Sequence, residues 1–154
     1  MYLPALMAFL HHLAAFTVVS ALAVEVALFK PPLTAAQARR IQRTDLIFGV
    51  SAGVLLFVGL LRVVYFEKAP GYYFSNAFFL TKLTAFIAAA LISIYPTMLF
   101  LSWSKALKQG STPAMSAAQV RRARMALMLE LTAIVVILLC APLMARGIGY
   151  FSIG

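Results

Sequence analysis

Three side chains able to carry positive charge, His11, Arg62 and Lys82, stand inside long apolar stretches of a 154-residue chain. An ionisable group in such a setting is costly, so each marks a site until a partner explains it. An imidazole can bind a metal or a haem iron, and a guanidinium or ammonium can hold an anion. At about 1.5 Å of rise per helical residue, His11 lies about 10 Å, Arg62 about 6 Å and Lys82 about 9 Å from the same-side ends of their stretches. One level of the molecule therefore gathers three candidate cations, with no carboxylate nearby except Glu67 at its edge. That level is short of an anion, which a ligand can supply. His12 adjoins His11 but points about 100° away on a helix, so the two cannot face one site squarely. His11 shares its helical face with Met7, Ala15 and Glu25, and this face is expected to look inward.

A second polar set falls near the opposite ends of the stretches. Glu25, Asp45 and Glu130 stand at the height of Arg40, Arg43, Arg122 and Arg124. Ion pairs fixing the helix ends, with Glu25, Asp45, Glu130, Arg43 and Arg122 as members, are the expected arrangement. A proton path ending at Glu25 or Glu130 is the sharper alternative. Cys140 is the single cysteine, which excludes an internal disulfide and a cysteine-based metal site. It is read as inert packing. The chain has no phosphate-binding glycine loop, no nucleophile elbow and no metalloprotease helix.

The elements that must position these groups are membrane helices. Hydrophobic residues make up 64% and charged residues 11% of the chain, against about 25% charged in a soluble domain. Four stretches, 4–29, 45–66, 76–103 and 125–144, match the roughly 20 residues that cross a hydrocarbon core. Together they predict one domain, an all-α integral membrane four-helix bundle. No Lys or Arg precedes the first stretch, so it is expected to stay as a span rather than act as a cleaved signal. The net charge of +9 sits in two connections, one with Lys30, Arg39, Arg40 and Arg43, the other with Lys105, Lys108, Arg121, Arg122 and Arg124. The positive-inside rule places both in the cytoplasm, and both termini with the near-neutral 67–75 connection outside. Basic residues beside lipid point to anionic phospholipid rather than nucleic acid as their partner.

The two basic connections resemble each other. Thr34-Ala-Ala-Gln37-Ala-Arg39-Arg40 recurs as Ser116-Ala-Ala-Gln119-Val-Arg121-Arg122, and each reads as a capping box. The second and fourth helices are thus expected to start two or three turns before their spans, as in a duplicated helical hairpin. Gly49 and Gly53 form a G-x-x-x-G pair that lets another helix, of this chain or of a second copy in a homo-oligomer, approach closely. Pro96 removes a backbone hydrogen bond from the third span, and Ser93 and Thr97 are expected to satisfy the freed carbonyl. Tyr65, Tyr72, Tyr73 and Phe74 predict an aromatic belt at the outer surface, and Trp103 one at the inner.

Haem b meets both demands of the cationic level. Its ring is apolar, its iron takes a histidine, and its propionates need basic partners. His11 is then the axial ligand, Arg62 and Lys82 meet the propionates, and Lys82 is the alternative sixth ligand. A Cu or Zn ion would use His11 and His12, but the neighbouring cations repel it.

The run Arg62-Val-Val-Tyr65-Phe66-Glu67-Lys68-Ala-Pro-Gly71-Tyr72-Tyr73, continued by Asn76, Phe79, Lys82-Leu83 and Ser93-Ile-Tyr95-Pro96-Thr97, resembles a bacterial family of small four-helix membrane proteins. That family is classed as a domain of unknown function, and its members carry a His-His pair in the first helix. More distantly, His11 and the Lys82 of Phe79-Leu80-Thr81-Lys82-Leu83 resemble the histidine and lysine of CopD-like and HemJ-like membrane proteins. HemJ-like chains are haem-binding protoporphyrinogen oxidases, and they carry Trp and His shortly before the lysine, where this chain has Phe78 and Leu80. The resemblance implies haem binding at His11 and Lys82; joined to the reading of the residues themselves, it leads to the expectation of a bacterial inner-membrane haem b protein of electron transfer or porphyrin oxidation, with His11, His12, Arg62, Lys82 and Tyr95 as cofactor-binding residues. CopD-like relatives imply metal-ion or small-solute transport instead, with His11 and His12 lining the path. A structural subunit assembling through Gly49 and Gly53 is the third expectation.

Overall fold

Within its membrane stretch every long helix of this protein is apolar around most of its circumference, as a span in lipid must be. Phe16, Phe57, Leu91 and Leu139, one from each, are exposed on the outside of the bundle. The computed structural model describes residues 2–66 and 70–151. In chain order they form α1 (Tyr2–Leu28), α2 (Ala35–Leu61), a π-helical turn (Arg62–Phe66), α3 (Pro70–Phe74), α4 (Ala77–Ser102), α5 (Ser104–Lys108) and α6 (Ala117–Ala145). Four helices are long and apolar enough to cross a membrane, Tyr2–Leu28, Ala35–Tyr65, Ala77–Lys108 and Ala117–Ala145. The protein is a multi-pass, all-α membrane bundle. Glu67, expected at the water interface, lies outside the described residues.

Both capping boxes form. The Thr34 and Ser116 hydroxyls accept from the Gln37 and Gln119 amides, and each glutamine side chain accepts from the cap backbone in return. Each box satisfies amide groups that the first turn leaves without partners. Consequently α2 and α6 start well before their most apolar stretches. α1 packs along α2 and α4 along α6, while the α1–α6 and α2–α4 contacts close the ring. The bundle is therefore two tight antiparallel pairs, in keeping with the repeated capping sequences.

The apolar core is split. A large cluster at the basic end includes Leu22, Ile41, Phe48, Phe100, Trp103 and Leu127, and a small one at the other end holds Val63, Tyr73 and Phe79. Trp103 belongs to the first and is 3% exposed. The expectation that it faces the lipid interface is thus corrected: α4 ends beside it, and the turn into α5 folds the indole under the bundle onto Phe100, 4.9 Å away. On the other side Tyr65 and Phe74 are exposed as a belt requires, whereas Tyr73 is buried.

Pro96 lies inside α4, but the hydroxyls expected to compensate it are engaged elsewhere. Ser93 Oγ donates to Ala90 O at 2.8 Å, and Thr97 Oγ1 donates to Asp45 Oδ1 at 2.8 Å. A carboxyl oxygen is the stronger acceptor, and it draws Thr97 across to α2.

Among the described residues, no atom beyond their chain neighbours and their own helix backbone lies within 4 Å of where a Cβ at Gly49 or Gly53 would stand. The pair therefore serves no contact within the bundle. Gly49→Ala and Gly53→Ala are expected to leave the fold intact and to change stability by less than about 0.5 kcal/mol each, since in lipid the helix stays formed in the unfolded reference and no packing contact is lost. Unfolding titration of the purified variants checks this.

Candidate functional site

The turn that carries Arg62 is π-helical, a single widened turn at the end of α2, and such turns often accompany functional sites. Gly59 stands one turn earlier. A Cβ there would lie 3.2 Å from Cε1 and 3.4 Å from Nδ1 of His11, so the imidazole of α1 is seated against the bare backbone of α2. His11 is half-buried and faces the bundle interior, as its helical face predicts. Arg62 and Lys82 are half-buried as well. Lys82 lies within electrostatic reach of Arg62 and of the buried Cys140 on α6, and its Nζ is 5.8 Å from the ring centre of Phe79. The His11–Gly59 contact thus joins α1 to α2, and Lys82 stands on α4 within electrostatic reach of the turn after α2 and of α6, beside Phe79 of the small apolar cluster.

The other expected members of the site stand apart. His12 is exposed, with Nδ1 2.7 Å from Ala8 O and its ring perpendicular to that of His11 at 6.0 Å. Tyr95 packs against the large apolar cluster, about 20 Å along α4 from Lys82 by the helical rise. It does not join the imidazole level. Among the described residues no group of three or more His, Cys, Asp or Glu is placed to hold a metal ion.

The second polar level differs from its expected form. Glu25 and Glu130 are 1% exposed and Asp45 is 7% exposed, yet among the described residues no arginine or lysine pairs with them. Arg43, Arg122 and Arg124 are exposed instead. The reason is rotational: the carboxyl side chains turn into the bundle, while the arginines on the same helices turn outward to water and lipid phosphate. Among the described residues the expected ion pairs of Glu25, Asp45 and Glu130 with Arg43 and Arg122 do not form. Beneath this level, Gln42 Nε2 donates to Phe100 O at 2.6 Å and Arg39 donates to Leu107 O at 2.8 Å, tying α2 to the α4–α5 junction.

Sequence reasoning missed two members of these levels. Gly59 makes room for His11, and its only signal is a glycine one turn before a membrane arginine. Thr97, read as a partner for the proline-freed carbonyl, is instead the one described hydrogen-bond donor to the carboxyl level.

Comparison with curated proteins and with solved structures returned no match. The family model described as "Predicted membrane protein (DUF2214)" matches residues 3–149, nearly the whole chain, and the protein belongs to that DUF2214 family.

Proposed function

We propose that this protein binds haem b at the level of His11, Arg62 and Lys82 and serves electron transfer or porphyrin oxidation. The observation that carries the reading is the imidazole seated on Gly59, with Arg62 one turn further along α2 and Lys82 within electrostatic reach. The donor set suits the group. His11 would hold the iron, and Arg62 and Lys82 would hold the propionates, with Lys82 the alternative second axial ligand. Bound haem would supply one-electron chemistry. The chain's own contribution is to fix the imidazole against the α2 backbone and to offer cations where apolar surroundings strengthen their hold on anions. The setting is a bacterial inner membrane, with the basic end in the cytoplasm against anionic lipid and the Gly49–Gly53 face available to a second copy.

Protein purified from haem-replete cells is expected to be red, with a Soret band that His11→Ala abolishes. Arg62→Ala and Lys82→Ala should each weaken haem retention about tenfold, the size of one charge-assisted hydrogen bond. Gly59→Ala, which drives a methyl into the His11 ring, should shift or weaken the band while Gly49→Ala leaves it unchanged. A colourless preparation that binds metal through His11 and His12 would overturn this reading in favour of transport. Colourless protein indifferent to both histidine substitutions would leave the role of an assembling subunit.

A further inference from the structure

The carboxyl level at the basic end is a charge problem that the described residues leave open. Glu25 from α1, Asp45 from α2 and Glu130 from α6 are buried together between the helices, and α4 contributes the Thr97 hydroxyl. Asp45 and Glu130 lie within electrostatic reach of Glu25, and Asp45 within reach of Glu130. Among the described residues no lysine or arginine pairs with any of the three. Oε1 of Glu25 and Oε1 of Glu130 are buried without a hydrogen-bond partner among the described residues. A carboxylate so placed is costly to keep charged unless something compensates its charge. Packing cannot supply that compensation. A bound cation or a proton can.

The geometry decides between them. Coordinating a metal ion takes several oxygens drawn onto one centre at about 2.3–2.6 Å, and the three acids form no group placed to hold one. A proton needs a single oxygen. We propose that Glu25, Asp45 and Glu130 form a proton-binding site, in which Thr97 both donates to Asp45 and can accept from a neighbouring carboxyl group. Loading moves one proton from a hydronium ion onto a carboxylate oxygen and leaves a water molecule; no electron changes hands. Glu25 stands three residues before the end of α1, about 5 Å by the helical rise, so the site lies close to the aqueous face at the basic end. The proposal stands whether or not the opposite level binds haem.

Infrared spectra of the purified protein in H2O and D2O test it on the wild-type chain. The expected result is a protonated-carboxyl C=O band that shifts on deuteration. Glu25→Gln, Asp45→Asn and Glu130→Gln, which keep shape and remove the exchangeable acid, are each expected to diminish it. A folded state that holds protons which the unfolded chain releases loses stability as pH rises. If the three hold a proton as proposed, the wild-type Tm should fall as pH rises, and that dependence should flatten in the triple amide variant. It should be unchanged when choline replaces sodium and potassium at constant ionic strength. Absence of the exchangeable band would overturn the proposal, and so would a Tm that sodium or potassium raises in the wild type but not in the amide variants.

Discussion

Phe100→Ala is expected to destabilise the bundle by about 2–3 kcal/mol relative to the chain unfolded within the membrane. In water a buried Phe→Ala change costs about 3–5 kcal/mol, the sum of a transfer part and a cavity part. Lipid tails are as apolar as a protein core, so most of the transfer part vanishes for a membrane helix and the cavity part remains. Phe100 is 0% exposed and is wedged between Phe29, at 5.9 Å, and Trp103, at 4.9 Å. Neither ring can collapse freely into the gap, because Phe29 stands just past the end of α1 and Trp103 at the α4–α5 turn. The Gln42 bond to Phe100 O uses the backbone and survives the substitution. Equilibrium unfolding in mixed detergent, wild type against variant, measures the difference. A loss under about 0.5 kcal/mol, the scale of an ordinary surface change, would mean that the core at the basic end repacks around the gap.

The parts of this fold that are legible in the sequence are those set locally. Apolar length defines the spans, and the Thr34–Gln37 and Ser116–Gln119 spacings define where α2 and α6 begin. The helical offset of His11 from His12 separates an inward imidazole from an outward one. Rotation of each helix about its axis is different, since helices apolar on every side carry no stripe that says which face turns in. This is why Glu25, Asp45 and Glu130 could be placed at the right height and still be assigned the wrong neighbours. Height follows from counting residues, whereas facing follows from packing. Thr97 shows the same limit, because its partner lies on another helix and outcompetes the local carbonyl. Gly59 and Arg62 lie one turn apart on one helix, so the face they share can be counted from the sequence, whereas what approaches it cannot.

Asn76→Ala is expected to cost about 2–3 kcal/mol, through two separable losses. Asn76 is 0% exposed, and its Oδ1 accepts from the amides of Phe78 and Phe79 at 3.0 and 3.2 Å, capping α4. Loss of such a cap costs about 1 kcal/mol. Its Nδ2 also donates to Ile148 O at 3.0 Å, and removing that donor leaves a carbonyl unsatisfied, worth about 1–2 kcal/mol more. The backbone bonds Ala77 N to Gly149 O and Phe151 N to Ser75 O complete a clasp between the start of α4 and the chain after α6. Gly149 fits it at φ +82°, where a Cβ would come 2.6 Å from the Phe78 ring. Asn76→Ser separates the two parts, since serine caps a helix but is too short to reach Ile148. It should recover about half the loss. Amide exchange at Phe78 and Phe79 should quicken in the alanine variant only, and exchange at Phe151 in both. Because α4 carries Lys82 in its second turn, the cap also fixes the height at which that ammonium enters the bundle. If haem is held as proposed, Asn76→Ala should weaken its retention as well, though less than Lys82→Ala does. Equal exchange at Phe78 in the two variants would show that the cap does not hold α4 at all, and that the clasp alone does.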